Sequence, residues 1–150
     1  MCAAHAALIG YDGAAYPAGT AMDGRAGGTN WASAWSGSNS VTAGSLGFTN
    51  GGAMVATEGN SFLIEGRTSF VMKVFRTLQT NGFENVTTNI GGVTYFGRGG
   101  AVVWLSFLAR DDALSPDNTF AGLQLYRDDV EAGMFGRRWG RTTWGGVLEG

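Results

Sequence analysis

The chain is poor in the residues that most enzymes and metal proteins rely on. Among its 150 residues it has one cysteine, one histidine, one lysine and two prolines. Cys2 alone excludes an intramolecular disulfide and any cysteine-based zinc site. His5 alone leaves nothing to build a catalytic triad or a His-rich metal site, and both residues lie at the N-terminus, where chains fray. Two prolines without a Gly-X-Y period exclude collagen. The basic residues, Lys73 and otherwise arginines, are scattered through a chain of net charge −2, so no electrostatic footprint for nucleic acid forms. No run reaches the roughly 18 apolar residues of a transmembrane helix.

What is abundant is glycine, at 26 of 150, beside a hydrophobic fraction of 44%. That apolar content suits a globular chain, and the length suits one domain, 1–150. Glycine mixed with aromatics predicts short strands joined by tight turns. Candidate strands are 7–11, 40–48, 52–57, 61–65, 93–97, 101–110 and 119–128, with weaker ones near 133–138 and 143–148. The run "SFVMKVFRTL" at 69–78 fits both periods, but it is short and lies among turn residues, so it reads as strand. "AVVWLSFLAR" at 101–110 is apolar on both faces, the pattern of a central strand. "TFAGLQLYRD" at 119–128 alternates like a strand with one buried face. With no convincing helix, the expectation is an all-β fold, an antiparallel β-sandwich or jelly roll. Residues 1–6 read either as a signal-peptide remnant, with Ala4-His5-Ala6 as a small-residue cleavage pattern, or as the start of a strand.

Two tryptophans sit in a polar loop, "GGTNWASAWSGSNSVTAG" at 27–44. Trp31 and Trp35 would share one face of an extended chain. They either plug a core or present a stacking platform to a sugar ring. Trp139 and Trp144 raise the same alternatives beside Arg137, Arg138 and Arg141. An Arg–Trp cluster suits an acidic glycan through cation–π contacts and paired charge, and a plain hairpin with solvated arginines is the competing reading. Asp111, Asp112, Asp117 and Asn118 gather oxygen ligands in one turn-rich loop, which suits Ca²⁺ or simply a turn. A glycoside hydrolase would need two carboxylates about 5–10 Å apart across a cleft. Glu65, Asp111, Asp112, Asp128 and Glu131 supply carboxylates, and their spacing selects no pair. "AGSLG" at 43–47 is one residue from a nucleophile elbow, but an elbow needs a histidine partner, so Ser45 reads as a turn or strand residue.

The segment "YDGAAYPAGTAMDGRAGGTNWASAWSG" carries a family resemblance through Tyr16, Pro17, Ala18, Gly19, Gly27, Gly28, Thr29, Trp31 and Trp35. It continues in "VTAGSL" at 41–46, "VVWLSFLAR" at 102–110, "GLQLYRD" at 122–128 and "FGRRWGRTTWGG" at 135–146. These stretches resemble the LamG-like, concanavalin A-like jelly-roll domains of exported bacterial surface proteins of PEP-CTERM type. Asn30 departs from the glycine usual in that family. The resemblance implies a domain that continues past Gly150, leaving open sheet edges through which copies could pair. It also implies a cell-surface or extracellular setting and a non-catalytic binding module for carbohydrate or adhesion, requiring no cofactor unless Ca²⁺. A glycoside hydrolase and a self-assembling structural subunit are the alternatives. The ligand-facing candidates are Trp31, Trp35, Arg137, Trp139 and Trp144.

Overall fold

The computed structural model describes residues 7–64, 73–110, 121–127, 129–137 and 143–148. Among these the fold is all-β, without a helix, and every strand pairing is antiparallel. No helix of the described residues is long and apolar enough to cross a membrane.

Among the described residues nine short strands fall into four sheets. β1 (Ser40–Thr42) pairs with β4 (Ser61–Leu63), placing Val41 opposite Phe62. β2 (Gly47–Asn50) and β3 (Ala53–Ala56) form a hairpin, as do β5 (Thr87–Ile90) and β6 (Val93–Phe96). Each hairpin turns on a glycine pair. Gly51 and Gly52 have φ of 55° and 89°, and Gly91 and Gly92 have 61° and 88°. A two-residue turn with both φ values positive matches the right-handed twist of the strands, and glycine occupies it without a Cβ penalty. β7 (Ala121–Arg127), β8 (Val130–Arg137) and β9 (Trp144–Leu148) make the one three-stranded sheet among the described residues, with β8 central and a register shift at Leu125/Tyr126.

Several expected strands differ. The run 40–48 divides into β1 and β2, because the chain turns between them and the Asn60 side chain accepts the Gly44 N–H at 3.1 Å. Residues 7–11 form a single bridge, Tyr11 to Thr29. Of 69–78, residues 69–72 lie outside the described residues. The remainder makes only the bridges Phe75–Ser36 and Leu78–Trp31, and is not helical. The segment 101–110 is not a strand. Its apolar pattern suits one, yet strand structure needs a partner backbone, and none among the described residues forms a ladder with it. β5 escapes a pattern reading because "TTNI" is mostly polar.

The main core is small. Tyr16, Met22 and Val41 are buried, with Trp35, Phe62 and Val74 packed against them. It lies where the irregular segment 7–39 folds over β1, β4 and the 73–78 segment. The β2–β3 hairpin contributes nothing to it, since all eight of its strand residues are exposed. Met22 is wholly buried, whereas Met54 on β3 is 72% exposed. Met22→Ala should therefore cost about 2–5 kcal/mol. Met54→Ala should change stability by less than about 0.5 kcal/mol. Urea unfolding of the two variants checks this directly.

Candidate functional site

The site is built around Asp12. The carboxylate first shapes its own loop, with Oδ1 accepting the Ala14 N–H at 2.9 Å, as Asp commonly does in turns. Its Oδ2 accepts three further donors: Arg76 Nη1 at 2.6 Å, Tyr16 OH at 2.7 Å and Trp35 Nε1 at 2.8 Å. The Arg76–Asp12 ion pair is almost fully enclosed, with side-chain exposures of 1% and 5%.

Burying two charges is costly, and such a pair persists only when its remaining hydrogen-bonding capacity is filled. That condition is met here. Arg76 Nη1 also donates to the Gly27 carbonyl at 2.9 Å, and Nη2 and Nε donate to the Ser33 carbonyl at 2.9 and 3.2 Å. The guanidinium lies 4.6 Å from the Trp31 ring centroid and 5.1 Å from that of Trp35, so both indoles cover it through cation–π contact. Trp31 Nε1 donates to the Tyr11 carbonyl at 3.0 Å. The two indoles are 6.1 Å apart and tilted by 40°.

Trp31 and Trp35 thus do share a neighbour, but it is Arg76 of this chain. Each is half-buried, spends its N–H internally and turns ring surface toward the guanidinium. Trp35 also packs edge-on against Phe62 at 5.2 Å. Both indoles are thereby tied into the Arg76 hub.

Two backbone positions let the loop close over the hub. Gly28 has φ of +81°, and a Cβ there would collide with the Tyr11 carbonyl. Asn30, where the resembled family has glycine, has φ of 60°. Among residues with a side chain, asparagine is one of those that tolerate this left-handed conformation best. Its Nδ2 donates to the Leu8 carbonyl at 2.9 Å.

Next to the hub is an open cavity of about 180 Å³ lined by Tyr11, Asp12, Tyr16, Thr29 and Glu58, with Gly13, Ala15, Gly27 and Gly28 supplying backbone. Tyr11 is 44% exposed, and Glu58 is exposed as well. The floor is rigid because Tyr16 is held by Asp12. A Cβ on Gly27 would lie 2.8 Å from the Tyr16 ring, so only glycine leaves that ring in place. Burial raises the Tyr16 phenol pKa above its usual 10.0, and the hydrogen bond to Asp12 and its charge add to the rise against a smaller opposing effect of Arg76.

The other sequence candidates are dispersed. Arg137 is buried at the end of β8, opposite Ala121 and Trp144, and is not a solvated hairpin arginine. Trp144 begins β9. Trp139, Arg138 and Arg141 lie outside the described residues, as do the proposed Ca²⁺ ligands Asp111, Asp112, Asp117 and Asn118. Among the described residues no cluster of three or more His, Cys, Asp or Glu could hold a metal ion. Of the carboxylates considered for hydrolysis, Glu65 and Asp128 are also outside, and Glu131 accepts Gln124 Nε2 at 2.7 Å across β7 and β8. Ser45 sits between two strands, with no helix after it, so no nucleophile elbow forms there.

Asp12, Arg76, Tyr11 and Glu58 were not identified from sequence. One signal was available: Arg76 interrupts the apolar run "VMKVFRTL", and a charge in such a setting needs a partner.

Removing one member of the buried pair, as in Arg76→Ala or Asp12→Ala, should destabilise the chain by about 3–5 kcal/mol. Calorimetry and denaturant titration measure it. Trp35→Phe deletes the N–H donor to a charged acceptor together with part of the indole, and should cost at least about 1.5–3 kcal/mol. The pH dependence follows from Tyr16. A phenol whose pKa is raised on folding contributes stability that is intact below pH 10.0 and lost as pH rises through the folded value. Stability should fall above that pH, and Tyr16→Phe should flatten this alkaline limb.

Family models, curated proteins and solved structures were compared with the chain, and none matches.

Proposed function

We propose that this chain is a non-catalytic carbohydrate-recognition module. The observation that carries the reading is the cavity beside Asp12, a space of about 180 Å³ lined by Tyr11, Tyr16 and Glu58 among others. An aromatic face packs on the apolar C–H surface of a sugar ring, and a carboxylate accepts its hydroxyls. Sites for small ligands combine such walls with a few fixed polar groups. This assigns ligand contact to Tyr11 and Glu58 in place of Trp31 and Trp35, whose rings and N–H groups serve Arg76.

Binding is favoured over hydrolysis by the state of Asp12. Its Oδ2 already accepts three donors and its Oδ1 one, including a charged arginine. A general acid or base must exchange a proton with substrate, and a carboxylate so occupied is poorly placed to do so. The reading extends to an exported protein with a jelly-roll architecture, on the resemblance of the 11–37 segment to surface proteins of that kind.

Incubation with a panel of soluble and insoluble polysaccharides tests the proposal. The protein should be pulled down by at least one polysaccharide without release of reducing ends. Tyr11→Ala and Glu58→Gln should each weaken that binding by about tenfold, the effect of losing roughly 1.4 kcal/mol, with the fold unchanged by circular dichroism. Released sugar, or binding indifferent to both substitutions, overturns it.

A further inference from the structure

Two asparagines, Asn50 and Asn81, precede a glycine, and both dipeptides lie at exposed turns. Such a pair is chemically labile. The glycine backbone nitrogen, once deprotonated, attacks the asparagine Cγ and closes a succinimide ring. The Cγ–Nδ2 bond breaks, and the side-chain nitrogen leaves as ammonia. Water then opens the ring at one of its two carbonyls, leaving aspartate or isoaspartate. Glycine favours the attack because it has no Cβ to obstruct it and its backbone bends freely. The sequence makes the two sites equivalent, and the tertiary structure separates them.

The Gly82 N–H donates to Glu84 Oε1 at 3.0 Å. To attack Asn81, that nitrogen must leave the bond and lose its proton beside a carboxylate, and the negative charge disfavours the anion that forms. The backbone N–H groups of Glu84 and Gly82 hold this carboxyl below the usual carboxylate range, so it stays charged at neutral pH. Gly51 differs. It opens the β2–β3 turn with φ of 55°, and among the described residues its N–H meets no acceptor. No atom lies within 4 Å of where its Cβ would be, so the turn has room to bend as the ring closes. The Asn50 side chain is exposed and, among the described residues, makes no hydrogen bond, whereas Asn60 uses both ends of its amide.

We infer that Asn50 is a modification site of the folded protein, converting spontaneously to aspartate and isoaspartate while Glu84 protects Asn81. Either product places a new negative charge at the tip of the hairpin that exposes Phe48, Met54 and Val55. Isoaspartate also adds a main-chain carbon at the position paired with Ala53. All eight strand residues of this hairpin are exposed, so conversion leaves the Met22–Val41 core in place and yields a folded charge variant.

The inference is independent of the cavity and of the carbohydrate reading. Its test incubates the full chain at mildly alkaline pH and follows both sites by peptide mapping and mass spectrometry, with fragmentation that distinguishes isoaspartate. Asn50 should convert at least about tenfold faster than Asn81, the ratio expected when a hydrogen bond to a charged group must first be broken. The rate at Asn50 should rise with pH, because the attacking nitrogen must be deprotonated. Glu84→Ala, an exposed position, should speed conversion at Asn81 toward the Asn50 rate and leave Asn50 unchanged. In denaturing urea the two rates of the unmodified chain should converge, since only the fold distinguishes them. Equal rates in the folded chain overturn the inference, as does faster conversion at Asn81. So does an Asn81 rate indifferent to both Glu84→Ala and urea.

Discussion

The enclosed ion pair between Asp12 and Arg76 is the contact on which the N-terminal half of the structure depends. It joins residues far apart in the chain and draws in Tyr16, Trp31, Trp35, Gly27 and Ser33 through hydrogen bonds or ring contacts. A buried pair is not in itself a strong source of stability, because desolvation offsets much of the attraction. What it imposes is geometry. The loop 27–35 has little regular structure, and its path is set by carbonyls that must face Arg76 and indoles that must cover it. Hydrophobic burial then follows, since Tyr16 and Trp35 are simultaneously partners of Asp12 and walls of the Met22–Val41 core.

The same hub explains why a cavity lies beside it. Residues 11–16 and 27–29 are held apart at fixed distance by Tyr16 and by the Tyr11 carbonyl, which accepts both Trp31 Nε1 and the Thr29 N–H. Side chains that would fill the gap are absent at Gly13, Gly27 and Gly28. A preformed hollow costs a ligand little reorganisation, which is the condition for recognition by a small surface. The rest of the described chain is organised differently. Its hairpins rest on local turn chemistry and expose much apolar surface, including Phe48, Met54, Val55 and the 101–109 segment. Two-stranded ribbons alone are marginal, so their stability depends on what packs or pairs with them.

Much of the architecture was legible in the residues. The abundance of glycine among aromatics announces short strands joined by tight turns, and the alternation of 119–128 announces a strand, because both signals act over neighbouring residues. The segment 101–110 has the local pattern of a central strand and is not one here, because pairing is a property of two backbones. Trp31 and Trp35 could be read as plug or platform, and nothing within 27–44 distinguishes the two.

The sequence by itself determined the all-β class and its short strands joined by glycine-rich turns, since composition and short-range periodicity carry those properties. Only the tertiary structure decided that Arg76 occupies the space between the tryptophans, that Asp12 is its counter-charge, and that Tyr11 and Glu58 meet at one cavity. Charge pairing and ring stacking require atoms within a few ångströms, and residues separated by as much of the chain as Asp12 and Arg76 acquire that proximity only when the chain folds.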